Sequence, residues 1–191
     1  VERMVQWDVD ELVVLDISRG EACYNIGRDD YRHRGALDLR DFIRRISAEC
    51  RIPLTFGGRI RSFEDARRRI VSGADKVTLN TALADQPTLL MEVAHAFGSQ
   101  AAVASIDYRL VNGSPRVFVD GGERDLQVEA MAWAHRAEDQ GAGEILLNSI
   151  DRDGSARGFD IETIQRVVEA VSIPVIACGG AGHIRHFNAC L

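Results

Sequence analysis

Gly141-Ala-Gly143-Glu144-Ile-Leu-Leu-Asn148-Ser-Ile-Asp151-Arg-Asp153-Gly154 decides the fold. A glycine stands where a helix should end, a charged residue opens a short apolar run, and an amide closes it before a polar loop. The same pattern recurs at Gly73-Ala-Asp75-Lys76-Val-Thr-Leu-Asn80 and, in shorter form, at Val9-Asp10-Glu11-Leu-Val-Val-Leu15. Short apolar runs without alternation are strands hidden on both faces, and such strands belong to parallel sheets covered by helices. A repeated strand with a charge at its start therefore implies a repeated β/α unit.

Outward from these copies, six buried strands are expected at 11–17, 53–58, 76–80, 101–107, 144–150 and 174–180. Helices are expected near 37–50, 63–72, 87–97, 126–140 and 161–171, with Ser62, Asp85 and Asp160 as caps or near-caps at their N-termini. Gly73 and Gly141 fall where C-caps belong. Val117-Phe-Val119 followed by Asp120-Gly-Gly122 predicts a small hairpin. No linker or low-complexity run interrupts the chain, so residues 1–191 read as a single domain. Ile52-Pro53-Leu-Thr-Phe-Gly57-Gly58 and Ile173-Pro174-Val-Ile-Ala-Cys-Gly179-Gly180 are a second repeated unit, and together the repeats suggest two related half-barrels.

Composition excludes several classes. The chain has 191 residues, 46% of them hydrophobic and 27% charged, enough for one sizeable core. A net charge of -6 argues against a nucleic-acid binder, and basic runs such as Arg67-Arg68-Arg69 read as solvated helix faces. The four cysteines, Cys23, Cys50, Cys178 and Cys190, form no C-x-x-C pair, so reduced thiols in a cytoplasmic protein are expected. No apolar stretch is long enough to span a membrane, no signal peptide opens the chain, and no ligand spacing calls for a metal or cofactor. His95, His135, His183 and His186 belong to no nucleophile motif and receive no catalytic role.

Strand periodicity then sorts the side chains. If Asn80 faces a barrel interior, so do Thr78 and Lys76; if Asn148 does, so do Leu146 and Glu144. Lys76, Glu144 and Glu11 would meet at the barrel floor and should pair there, because isolated charges are costly to bury. They would form either a structural salt bridge or a polar gate.

The opposite ends of the strands carry the chemistry. Asp107 terminates the run Ala-Val-Ala-Ser-Ile-Asp, where partial desolvation would raise its pKa and suit it to proton transfer. Asp151 and Asp153 follow another strand, and hydrogen bonds to substrate are expected there rather than metal binding. Gly57-Gly58, Gly154 and Gly179-Gly180-Ala-Gly182 follow strands and precede helices, where backbone amides can receive phosphate. Asn80 and Thr81 add side-chain donors. Matched glycine turns in two half-barrels imply a substrate phosphorylated at both ends.

Taken together, Phe56-Gly-Gly-Arg-Ile-Arg-Ser-Phe-Glu-Asp-Ala, Gly73-Ala-Asp-Lys-Val-Thr-Leu-Asn-Thr-Ala, Phe97-Gly-Ser-Gln, Ser105-Ile-Asp, the Gly141–Gly154 block and Ile173-Pro-Val-Ile-Ala-Cys-Gly-Gly-Ala-Gly resemble the cyclase subunit of imidazole glycerol phosphate synthase. The resemblance implies a (β/α)8 TIM-type barrel, an α/β fold. In that family a glutaminase partner on the barrel bottom supplies ammonia. The barrel converts a doubly phosphorylated ribulosyl precursor into imidazole glycerol phosphate and an aminoimidazole carboxamide ribotide, a step of histidine biosynthesis. Asp107 matches a catalytic acid/base; Asn80, Asn148 and Asp153 are expected to position substrate; Gly58, Thr81, Gly154 and Gly180 fall in phosphate-binding regions. Glu11, Lys76 and Glu144 match the charged ammonia gate, with Asp75 facing the glutaminase.

The chain also departs from the family. A first strand bearing a second catalytic aspartate would precede Val1, and a last strand and helix would follow, so the barrel is expected to be incomplete. Arg59 replaces a glycine and would either contact phosphate or block the backbone's approach. Residues 18–35 form a longer polar insertion over the active face. Leu15-Asp-Ile-Ser-Arg-Gly20 and Leu147–Ser155 are also similar to paralogues that channel ammonia toward sugar amidation in surface-polysaccharide pathways. Two other readings are an aminoaldose-isomerising barrel without ammonia and a non-catalytic scaffold for a glutaminase.

Overall fold

The computed structural model describes Trp7, residues 9–18, Ala36 and residues 38–191. The insertion at 18–35, Ser18 apart, and Cys23 lie outside the described residues. The chain divides into two compact units, Val1–Val77 and Thr78–Leu191.

In the first unit, β1 (Leu12–Leu15) pairs in parallel with β2 (Leu54–Gly57), Leu12 opposite Leu54 and Leu15 opposite Gly57. Between them runs α1 (Leu39–Glu49), opened by Asp38, whose carboxylate accepts the Asp41 amide at 2.9 Å. After β2 comes α2 (Phe63–Val71), opened in the same way by Ser62 and followed by Gly73, whose φ of +117° is readily available only to glycine. Ile43, Phe56 and Ala74 form a closed core, with Phe42 set edge-on to Phe56 at 6.3 Å between ring centroids. Arg69 joins this core instead of the solvated face expected of it. It is 3% exposed, its guanidinium lies 5.8 Å from the Phe56 ring centroid, and it donates to the carbonyls of Asp65 (2.8 Å) and Gly58 (2.9 Å). Arg67 and Arg68 do face solvent.

β3 (Lys76–Leu79) spans the boundary between the units. The second unit continues with α3 (Thr81–Asp85), α4 (Leu89–Phe97) and β4 (Ala102–Val111). Asp85 ends α3 rather than capping the next helix; Thr88 precedes α4 without a side-chain cap bond. β4 turns at Asn112-Gly113 into β5 (Ser114–Val119), which turns again at Asp120–Glu123 into β6 (Arg124–Glu129), both pairs antiparallel. The expected hairpin at 117–122 is therefore present but is the second half of a longer excursion, and it delays the following helix, α5 (Ala130–Asp139). These extra strands bring the described total to eight. The chain ends with β7 (Glu144–Ser149), α6 (Ile161–Ala170), β8 (Val175–Cys178) and α7 (Ile184–Cys190).

β7 pairs in parallel with both β4 and β8, so the unit is α/β with a parallel sheet at its centre. The paired residues Ala104 and Ile145, Ile106 and Leu147 turn one face toward α4 and α5, and none is more than 1% exposed. Successive side chains alternate, so Ser105, Asp107, Leu146 and Asn148 occupy the other face. Among the described residues, no helix is long and apolar enough to cross a membrane.

Candidate active site

Asp107 lies within β4, not at its end as the sequence suggests. The apolar run stops there, but the strand continues because residues beyond it exchange parallel for antiparallel pairing: Asp107 is opposite Asn148 on β7 and Phe118 on β5. Register places Cys178 of β8 next in the row, opposite Asn148. Asp107, Asn148 and Cys178 thus stand side by side across three neighbouring strands on one face.

Asn148 donates its amide to the Asp107 carboxylate at 3.2 Å. Burial pushes the Asp107 carboxyl above the ordinary carboxylate range; hydrogen bonds from Asn148 and Asn80 pull it back in part, and the charge of Asp153 pushes it up again. Asn80 reaches the same place by donating toward Ser105, 3.4 Å to the carbonyl and 3.5 Å to the hydroxyl. The Cys178 thiol is also pushed up, first by partial burial and then by Asp153 and Asp107. It stays protonated at neutral pH and is a weak donor. Counting back two residues from Asp107 could have found Ser105, whereas Cys178 joins the row only through its register with Asn148.

The loop after β7 carries Asp151, Asp153 and Gly154. The carboxylate of Asp151 accepts the Leu110 amide at 3.0 Å and pairs with Arg109 at 3.3 Å. Asp153 is exposed and accepts the Gly154 amide at 3.0 Å; a Cβ at Gly154 would meet nothing within 4 Å, so the turn stands beside open space. Tyr108 OH donates to Asp160 at 3.1 Å, and this buried pair fixes the far end of the loop where α6 begins. Thr81 Oγ1 accepts the amide of Asp120, 3.0 Å away, tying the β5–β6 turn to the start of α3.

Gly180 is fixed by crowding: a Cβ there would stand 2.2 Å from the Gly158 carbonyl oxygen, which lies in the loop before α6. Two imidazoles already occupy the amides just beyond it. Gly182 donates to His186 Nδ1 at 3.2 Å and Arg185 to His183 Nδ1 at 3.1 Å, so these histidines cap α7.

Glu11 precedes β1 and Lys76 opens β3; they form an ion pair of 2.8 Å, with Thr55 Oγ1 also donating to Glu11. The expected pairing of these two charges is present. Glu144 opens β7 in the second unit, opposite Val103, half-buried. Asp75, exposed, accepts the Leu54 amide at 2.8 Å. At the other end of the strands, Gly58 packs so closely on β1's exit that a Cβ would lie 2.1 Å from the Asp16 carbonyl oxygen. Arg59, at φ +54°, sends its side chain to Ser18 O (3.2 Å) and toward the buried Asp16 carboxylate (4.0 Å). Asp16 itself was not singled out in the sequence, where its role is hidden by the polar stretch that follows.

Comparison with known proteins resolves the family. The profile of the histidine biosynthesis protein family matches residues 1–191. The chain belongs to the histidine biosynthesis protein family. Among curated members, it is 48% identical over 180 residues to imidazole glycerol phosphate synthase subunit HisF of Geobacillus kaustophilus, covering 93% of this chain and 67% of that protein. It is 45% identical over 177 residues to the subunit of the same name from Chlorobaculum parvum, covering 93% and 66% respectively. With that of Metallosphaera sedula the identity is 43% over 178 residues, with the same coverage. The chain thus spans about two thirds of the length of these family members. Cys50, Cys178 and Cys190 are free thiols, and the described residues hold no cluster of His, Cys, Asp and Glu suited to a metal ion.

Proposed function

We propose that this chain is the ammonia-using cyclase barrel of an imidazole glycerol phosphate synthase, acting in histidine biosynthesis as a single cytoplasmic domain. The observation that carries this reading is the Asp107 carboxyl, raised by burial and held by the Asn148 amide at the end of a parallel strand pair, within a family named for this pathway. A carboxyl so raised exchanges its proton nearer neutral pH than an exposed one, which suits it to serve as general acid and base while ammonia adds and the imidazole ring closes. Asn148, Asn80 and Asp153 orient the substrate. Gly154, Gly180 and Thr81 are candidate phosphate-binding positions of the second unit, and Gly58 with Arg59 of the first.

Ammonia is supplied by a glutaminase subunit docked beside Asp75 and passes the charged set Glu11, Lys76 and Glu144. The Glu11–Lys76 pair supports this, being an ion pair at the strand starts, remote in the strand direction from the glycine turns. The relatives named above favour this acceptor over a sugar. The test is direct: purified protein, ammonium salt and the bis-phosphorylated ribulosyl precursor should yield imidazole glycerol phosphate, detected by mass spectrometry. Absence of product with the substrate bound would leave the scaffold reading in its place.

A further inference from the structure

Four arginines from two helices line one cleft on the outside of the first unit. Arg40 and Arg44 of α1 and Arg67 and Arg68 of α2 surround a cleft of about 210 Å³, with Val71 and Ser72 completing the wall. Arg67 and Arg68 are explained by their own helix: Glu64 lies 3.6 Å from each, Asp65 is 3.7 Å from Arg68, and both cations sit toward the helix C-terminus.

Arg40 and Arg44 have no such explanation. Arg40 is the second residue after the Asp38 cap, at the positive end of the α1 dipole, where a cation is unfavourable. Arg44 follows it at i+4, a like-charge spacing that destabilises a helix further. Asp41, the nearby acid, is engaged by Arg45 at 2.7 Å. Neither Arg40 nor Arg44 makes an ion pair or side-chain hydrogen bond among the described residues. A local rule broken twice without compensation among the described residues marks a site whose compensation comes from a ligand.

We propose that this cleft binds the di- or triphosphate chain of a small molecule. The proposal is independent of the cyclase reading. Guanidinium forks grip phosphate oxygens in bidentate fashion, and facing arginines from two helices can bracket a short run of phosphoryl groups. A multivalent anion would relieve the repulsion between all four cations at once. The cleft is too small for a duplex, and the chain's net charge of -6 makes this a local positive site on an acidic protein.

The experiment is arginine labelling by phenylglyoxal with and without inorganic tripolyphosphate, read by peptide mass spectrometry. Arg40, Arg44 and Arg67 should be protected while exposed Arg136 and Arg45 are labelled as before. In R40Q/R44Q, tripolyphosphate affinity should fall by about tenfold or more, the loss of at least one charge-assisted contact. Because that variant leaves the glycine turns intact, polyphosphate bound there cannot mimic the effect. Unchanged labelling, unchanged affinity in R40Q/R44Q, or equal protection by orthophosphate or polyglutamate would each overturn the assignment.

Discussion

Asn148 and Asp107 are register partners on adjacent parallel strands, and the amide of one donates to the carboxylate of the other at 3.2 Å. Two forces oppose each other at this pair. Burial favours the protonated acid, whereas the amide, which donates best to a carboxylate, favours the ionised one. The result is an acid raised above its ordinary range yet still able to lose its proton.

Replacing Asp107 by Asn should abolish most turnover, by on the order of 10² to 10⁴, the usual contribution of one general acid/base. The same variant should be more stable than the parent at neutral pH. A carboxyl raised in the folded state gives its full stability below the unfolded pKa and loses it as pH rises through the folded pKa. Asparagine carries no such loss, so urea midpoints of parent and variant should diverge from acid toward neutral pH. Parallel curves at all pH values would contradict the burial account.

Asn148→Ala removes the donor that holds the Asp107 carboxyl down, so that carboxyl should rise further. The acid limb of kcat/KM against pH should move to higher pH, with a smaller fall at the plateau than Asp107→Asn produces. A limb that stays in place would assign it to a different group.

Lys76→Met leaves Glu11 half-buried with only Thr55 Oγ1 from this set of contacts. The expected cost is about 1–2 kcal/mol, below that of breaking a fully buried pair because both side chains keep some solvent. Denaturant titration gives this number, and Lys76→Met/Glu11→Gln should recover part of it, since the orphaned charge is gone. Under the cyclase reading, both variants should disturb glutamine-driven turnover more than turnover with added ammonium.

Arg69→Ala should destabilise by about 2–4 kcal/mol, because two carbonyls lose a charged donor and the Phe56 ring loses its cover. Arg69→Lys should recover little, as an ammonium cannot reproduce the planar fork. Equal midpoints for Arg67→Ala and Arg69→Ala would remove the distinction drawn between them.

The strand and helix order was legible because buried parallel strands are marked by uniform apolarity, a signal independent of distant partners. Asp107 and Asn148 were legible for the same reason, as polar residues interrupting such runs. Arg69 was not: within Arg67-Arg68-Arg69, only the helix phase relative to Phe56 decides which cation turns inward. The β4–β5–β6 excursion was seen in part, since Asp120-Gly-Gly122 advertises a turn while Tyr108-Arg-Leu-Val111 looks like loop until its antiparallel partner is known. Cys178 escaped because its membership of the row depends on a cross-strand register that no local pattern records.

β4 serves two masters along its length, and this sets where the protein can change. From Ala102 to Asp107 it is wall, locked to β7; beyond Tyr108 it is the stem of a projecting arm paired with β5. A one-residue insertion before Asp107 would swing the carboxylate to the helix-packed side and silence the enzyme at a stroke. The same insertion at Asn112-Gly113 would only lengthen the arm's tip, where a Cβ at Gly113 meets nothing within 4 Å. The length of the β4–β5 turn can therefore vary while the acid itself stays in place.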